Sequence, residues 1–323
     1  MKLRRIVYKI TLLLLVCSLP MVAQLQSENS YSNLAGVPFR MGFYSRGISF
    51  GNAVSSLTDG TVPAYYNPAL LPYCQQSSFM ATYGILSLDR SLNAISFMQH
   101  INPNAGFSLF LLNTGISDID GRDINGYHTE TFSTSENLFG FSFGLQPSTK
   151  LTFGVTIKVL YYSLYQSIKN TTAGFDIGAV YKLYDELSLG LVIQDINSKY
   201  KWDTSKLYGE EGKSTIDRFP LRRKIALAYQ PQWAHITVAG EYERIEKESL
   251  VRFGAEFSPV KNFAVRAGVD EITFSRAFDP TPSFGASFRT EVFHMETEFQ
   301  HTYLIERYSP SNIHYLTLYL KFL

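Results

Sequence analysis

Two cysteines in 323 residues, Cys17 and Cys74, are too few for a disulfide framework or a cysteine-based metal cluster. The formal net charge is +1, with 29 Lys and Arg against 28 Asp and Glu, so the basic footprint of a nucleic-acid binder is missing. Tryptophan is scarce, at 2 residues. After residues 1–23, no stretch approaches the roughly 18 apolar residues that a membrane helix needs. The motifs of common catalysts are absent too. There is no Gly-x-Ser-x-Gly elbow. The stretch from Gly47 to Gly51 precedes no Lys-Ser/Thr pair that would hold phosphate. The histidines, His235, His294, His301 and His314 among them, show no metal-ligand spacing on adjacent same-face positions. Neither a cofactor nor an enzymatic activity is expected.

What is abundant is aromatic. Tyr numbers 21 and Phe 24, and aromatics reach 15% of the chain, a bias toward residues that favour strands. The first residues read as a secretory signal, residues 1–23. Lys2, Arg4, Arg5 and Lys9 give a positive start, Ile10 to Val16 an apolar run, and the cut falls after Ala23. Val16 stands where a lipoprotein signal normally has a small residue, which disfavours lipidation of Cys17.

The remainder alternates with a period of two. From Leu151 to Val159 every odd residue is apolar, while Thr152, Gly154, Thr156 and Lys158 fill the even places. That period puts the two sets on opposite faces of a strand. The same pattern recurs at Phe175–Tyr181, Leu187–Ile193, Val251–Phe257 and Phe293–Phe299. The polar face carries Gly, Ser, Thr and charges of both signs (Lys158, Asp176, Arg252, Glu256, Arg266, Glu296, Glu298), which suits ion pairs inside a lumen. Aromatics such as Tyr83, Tyr161, Tyr181, Tyr242 and Tyr319 recur near segment ends, where a barrel places its interfacial girdles.

About fourteen such segments follow one another, an even number as in bacterial membrane barrels. They begin near Phe79, Leu92, Phe107, Leu138, Leu151, Phe175, Leu187, Ile225, Ala234, Val251, Phe263, Phe284, Phe293 and Tyr315. Tight connections, such as Asn102-Pro103-Asn104 and Thr290-Glu291, alternate with long ones: Gly115 to Asn137, Ser163 to Thr171, Asn197 to Phe219, Glu271 to Pro282 and Ile305 to Asn312. Short periplasmic turns and long outer loops give that asymmetry. The fold expected is all-β: a transmembrane antiparallel β-barrel over residues 77–323, in the outer membrane of a Gram-negative-type envelope, monomeric and surrounded by outer-membrane lipid. Residues 24–76 do not fit the strand pattern and are expected to fold as a plug at the periplasmic end of the lumen. The last residues, Tyr315 to Leu323, look like the signal that barrel-assembly machinery reads, with the aromatic Phe322 penultimate rather than final.

One set of residues in the plug segment is familiar. Ala35-Gly-Val-Pro-Phe-Arg-Met-Gly42, Ser45-Arg-Gly-Ile-Ser-Phe-Gly-Asn-Ala53, Asp59-Gly60 and Tyr65-Tyr-Asn-Pro-Ala69 together resemble the N-terminal signature of the PorV/PorQ family, a branch of the FadL-like outer-membrane barrels. Ser49 and Asn52 stand where that pattern has glycines, and Gly60 where it has a second acid. Ile196 to Trp202 continues the resemblance. It implies a fourteen-stranded barrel with an N-terminal plug and one of two roles. The first is an envelope factor for type IX secretion, whose partners are secretion-system components or exported cargo. The second is FadL-like passage of hydrophobic small molecules.

Three groups of residues are candidate sites. Asp59 with Asn67-Pro68-Ala69 forms the plug motif: Pro68 fixes its own φ and drives Asn67 extended, so the motif either anchors the plug or simply turns the chain into the first strand. Tyr200, Trp202 and Tyr208, among charges in the Asn197–Phe219 connection, are candidate recognition residues; the plainer reading packs them on the barrel rim. Tyr127, His128 and Phe132 hold the corresponding place in the Gly115–Asn137 connection. Asp118, Asp120 and Asp123 place carboxylates at a weakly calcium-like spacing, against the plainer reading of a solvated loop.

Overall fold

The computed structural model describes residues 34–165, 168–231, 233–273, 280–306, 309 and 311–322. The signal segment and the first ten residues of the plug segment lie outside them. Sixteen strands follow in chain order: β1 (Ser78–Ile85), β2 (Arg90–Ile101), β3 (Ala105–Arg122), β4 (His128–Ser148), β5 (Leu151–Tyr165), β6 (Ile168–Tyr184), β7 (Leu187–Ile196), β8 (Lys199–Asp203), β9 (Ser214–Arg218), β10 (Arg222–Tyr229), β11 (Ile236–Ile245), β12 (Glu248–Val260), β13 (Phe263–Thr273), β14 (Thr281–Val292), β15 (Met295–Leu304) and β16 (Ile313–Phe322). All but β8 and β9 pair antiparallel with their neighbours in one closed barrel of fourteen strands. β1 meets β16 from Ser78↔Lys321 to Ile85↔His314, so no edge is left open. A sheet closed in this way satisfies its backbone groups internally, as hydrocarbon requires. No helix among the described residues is long and apolar enough to cross a membrane.

The faces follow the period-two reading. Phe153, Val155, Ile157 and Val159 of β5 are exposed, while Thr152, Thr156 and Lys158 are buried inside. The same inside-out pattern holds around the wall, with Phe253, Phe284, Phe288 and Phe299 outward and Arg252, Ser283, Ser287 and Glu298 inward. In water such a band would be a large exposed apolar surface; in a bilayer it is matched.

Several connections differ from expectation. Gly115–Asn137 is strand for most of its length, because β3 continues to Arg122 and β4 starts at His128. A two-stranded ribbon beyond the barrel has no apolar face to fill, so hydrophobic alternation cannot reveal it. Further along, the tight turn after β14 lies at Phe293–His294 rather than at Thr290-Glu291. Both residues have positive φ, +50° and +59°, the backbone of a two-residue hairpin, with no glycine to announce it.

Candidate functional site

Residues 34–77 run through the barrel interior. They hold a 3-10 turn (Pro38–Arg40), a short helix α1 (Ser45–Ser49) and a second 3-10 turn (Pro68–Tyr73). The segment is seated on the wall at two glycine patches. Gly106, Gly144, Gly154 and Gly178 are paired in register across β3, β4, β5 and β6. A Cβ at Gly154 would lie 2.3 Å from the Pro68 backbone, and one at Gly178 would lie 2.0 Å from Asn67 Oδ1. The rung is bare of side chains where the Asn-Pro-Ala motif lies on it. Across the lumen, Gly254 and Gly268 pair between β12 and β13, and a Cβ on either would meet the backbone around Phe50 and Gly51.

Within the plug motif, Asn67 is fully buried. Its Nδ2 donates to Ser55 O at 2.7 Å, and its Oδ1 accepts from Ala69 N at 3.0 Å, starting the 3-10 turn that Pro68 opens. Asp59 lies elsewhere. It accepts from Thr61 N and Oγ1 at 3.1 and 2.8 Å and pairs with Arg46 Nη2 at 2.7 Å. Burial alone would raise its carboxyl; the Arg46 charge and these hydrogen bonds outweigh that and hold it at about 2 against an ordinary 3.8. Arg46 also reaches Glu256 on β12, so one side chain joins two parts of the plug to the wall. Asn52, with φ +60°, donates to Met41 O and to Asp270 Oδ2 and accepts from the Tyr66 hydroxyl. Arg46 was not singled out from sequence, and Asn52 was noted only as standing where the resembled pattern has a glycine. The available signal was a cation and an amide inside an otherwise small or apolar run.

The lumen wall is divided. On β1 to β5 its inward residues mix Met80, Leu92, Met98, Phe110, Leu138 and Leu160 with small hydroxyls such as Ser96, Ser108, Ser142 and Thr156, and Glu136 and Lys158 are the buried charges there. On β10 to β15 they form two ion-pair clusters: Arg222 with Glu243 (2.5 Å), Lys224 with Glu241 (3.2 Å) and Arg252 with Glu241, Glu243 and Asp270 in one, and Arg266 with Glu256 (2.5 Å) and Glu298 (3.2 Å) in the other. Lys158 bridges Asp176 and Asp195 at 2.7 and 2.5 Å. Buried charges of this kind are tolerated because each meets an opposite charge.

An aromatic column occupies the upper lumen. β8 and β9 form a hairpin over the mouth. Its Tyr200 is buried and donates to Glu136 at 2.6 Å. The Tyr200 ring lies 5.3 Å from Tyr162, 5.4 Å from Trp202 and 5.0 Å from Phe219. Phe219 lies against Gly36 of the plug. From there Phe39, Phe43, Tyr65 and Phe110 continue inward, with ring centroids 5.6 to 6.5 Å apart. Trp202 is half-buried and bonds Asp217, and Tyr208 is 65% exposed. The three candidate recognition residues are therefore not one surface: two belong to the cap's packing and one faces out. Below the column an internal void of about 10 Å³, bounded in part by Tyr44, Tyr66 and Gln300, has room for about one water.

The acidic residues of the β3–β4 ribbon do not converge. Asp118 has φ +55° at a bulge. Asp120 is engaged by Arg122 and His128, and Asp123 accepts the amides of Asn125 and Tyr127 in a turn. Among the described residues no three His, Cys, Asp or Glu side chains come together as metal ligands.

No family model matches the sequence, and no curated protein does. Solved structures match over nearly their whole length. The Pseudomonas putida toluene transporter TodX shares 13% identity at a TM-score of 0.61, covering 87% of this chain and 96% of its own. The Ralstonia pickettii toluene transporter TbuX shares 11% at 0.58, with 87% and 97% covered. A Pseudomonas aeruginosa FadL homologue shares 11% at 0.58, with 87% and 98% covered. The fold is that of the FadL-type outer-membrane barrels. At these identities the likeness extends to architecture alone, and the PorV/PorQ branch has no counterpart among these structures.

Proposed function

We propose that this protein is a non-enzymatic outer-membrane channel for hydrophobic small molecules, closed in the present state by its plug. The observation that carries the reading is the divided lumen. One flank, with the aromatic column, offers apolar surface from the hairpin cap down to Tyr65. The other flank is locked in ion pairs with the plug's polar contacts. A hydrophobic molecule needs a mainly apolar lining, and the first flank, with its aromatic column and mostly uncharged inward residues, comes nearer to it than the ion-paired one. The toluene transporters of the same architecture support the reading. The envelope-factor role implied by the sequence resemblance finds no such support, since the solved neighbours are transporters and channels.

Whole-cell uptake tests the proposal. A Gram-negative host lacking its own hydrophobe channel, expressing the full chain, should take up labelled oleate or toluene faster than the same host with empty vector. Equal uptake, with the folded barrel confirmed at the cell surface, would sink the reading and return the envelope-factor role to the front.

A further inference from the structure

Apart from Arg40, which bonds carbonyls within the plug, the described arginines fall into two groups. Those of the lumen wall, of α1 and of the connections at Arg90 and Arg122 each meet a carboxylate. Arg218, Arg223 and Arg244 meet none among the described residues, and all three are exposed at the long-connection end of the barrel, on β9, β10 and β11. Arg223 and Arg244 lie directly opposite each other in register, both on the outward face. Like charges opposed across a strand pair are destabilising. Arg223 has no hydrogen-bond or ion-pair partner among the described residues, and Arg244 spends only its Nε–H, on Glu246 O at 3.3 Å. The exposed carboxylates at these three strand ends are Asp217 and Glu246. Asp217 is engaged by Trp202 Nε1 at 2.7 Å, and Lys247 follows Glu246, so the patch keeps a positive balance.

The pair stands at a defined height on the wall. Two residues down each strand, about 7 Å at the ordinary strand rise, the outward residues are Ile225 and Tyr242, again in register. The Tyr242 hydroxyl shares a hydrogen bond of 2.9 Å with the Ser249 hydroxyl. Below them Leu227, Tyr229 and Val238 continue an exposed apolar face. A girdle tyrosine marks the boundary of the hydrocarbon, so the two guanidinium groups above it stand where outer-leaflet headgroups carry their phosphates. Guanidinium forks match phosphate oxygens two at a time. One phosphate between Arg223 and Arg244 replaces a repulsion by two ion pairs. A soluble anion satisfies the charges alone, whereas a lipid phosphate arrives with acyl chains that also cover the apolar face directly beneath.

We propose that Arg223 and Arg244 clamp a phosphate of an outer-leaflet lipid, the chemistry that a phosphorylated glycolipid such as lipid A offers. The proposal rests on the outer-membrane reading and not on what the lumen carries. The test uses the full chain, purified in a neutral maltoside and titrated with diphosphoryl lipid A, the bound lipid being counted by native mass spectrometry. The wild type should bind diphosphoryl lipid A more tightly than the same lipid stripped of its phosphates. Arg223→Ala with Arg244→Ala should weaken binding of the phosphorylated form about tenfold, as expected for lost hydrogen bonds to a charged group. Lys261→Ala, which removes an exposed cation at the short-turn end, should bind as the wild type does. A heat-modifiable gel band shows that each variant is folded. Equal affinity of the wild type and the folded double variant overturns the proposal. So does equal affinity of the wild type for the two lipid forms, because the apolar face then holds the lipid by itself. Complete displacement of lipid A by inorganic phosphate overturns it too, because the arginines then serve a soluble anion. A wild type with no heat-modifiable band overturns the membrane reading as well, which separates the two failures.

Discussion

Arg46 and Glu256 meet fork to fork: Arg46 Nε donates to Glu256 Oε2 and Nη2 to Oε1, both at 3.1 Å. The two residues are 210 positions apart, one on α1 and one on β12, and both side chains are 12% exposed. Bidentate pairs fix geometry as well as energy. This one holds the angle at which the plug meets the charged flank, with Asp59 completing the triad from the plug side.

That triad gives a pH dependence. Asp59 titrates at about 2 in the fold and at an ordinary 3.8 when free. A carboxyl depressed in the folded state stabilises it fully above the free value, and the contribution disappears as pH falls through the folded value. Plug docking should therefore hold down to about pH 4 and weaken between there and pH 2. Asp59→Asn should lack that step. Thermal unfolding of the folded barrel, followed by its gel mobility after heating at each pH, reads the difference. A wild type and variant that fall in parallel over this window would contradict the assignment.

Asn67→Ala should loosen the plug. It removes the donor to Ser55 O and the acceptor for Ala69 N in a fully buried place, a cost of about 1–3 kcal/mol. Single-channel recordings in planar bilayers should show more frequent openings than the wild type. Gln75→Ala, at an exposed position of the same segment, is the comparison and should behave as the wild type. Quiet traces from Asn67→Ala would count against its anchoring role.

Gly154→Val should unseat the motif altogether, since even a Cβ would meet Pro68 backbone at 2.3 Å. Backbone cannot swing aside as a side chain can. Gly240→Ala is the tolerated counterpart, because its Cβ would approach the Phe253 ring no closer than 3.3 Å. Protease added to the short-turn side of reconstituted barrels should cut residues 34–77 in the first variant and spare them in the second.

Tyr200→Ala should free the hairpin. It removes three ring contacts and leaves Glu136 without its hydroxyl donor. Trypsin acting on intact cells should then cleave at Lys199, Lys201 or Lys206 faster than in the wild type. Tyr208→Ala should leave the rate unchanged, since that ring is 65% exposed. Equal rates for both variants would mean the aromatic cluster does not hold the cap.

The barrel was legible because its two faces meet different media at every second residue. Leu151 to Val159 shows the effect in nine residues, and β5 follows it without a break. Where both sides meet water, as in the ribbon from Ser117 to Thr134, the code disappears and strand read as loop. The plug motif was visible through Pro68 and Asn67, whose backbone demands are local. Its seat was not, because Gly106, Gly144, Gly154 and Gly178 become a rung only once four strands are set in register. Arg46 and Glu256 were separately readable as charges, but nothing in a linear chain pairs residues 210 apart.

The two glycine patches differ in when they come into being. The rung under Asn67 needs only β3 to β6, four consecutive strands close behind the plug in the chain. The patch under Phe50 needs β12 and β13, which lie far along the chain. A chain that zips its hairpins in order would have one docking face ready early and the opposite one late. In such a chain the plug would serve as a mandrel: already fastened on one side, it would set the curvature onto which the last strands close, and β1 would meet β16 around an interior already occupied.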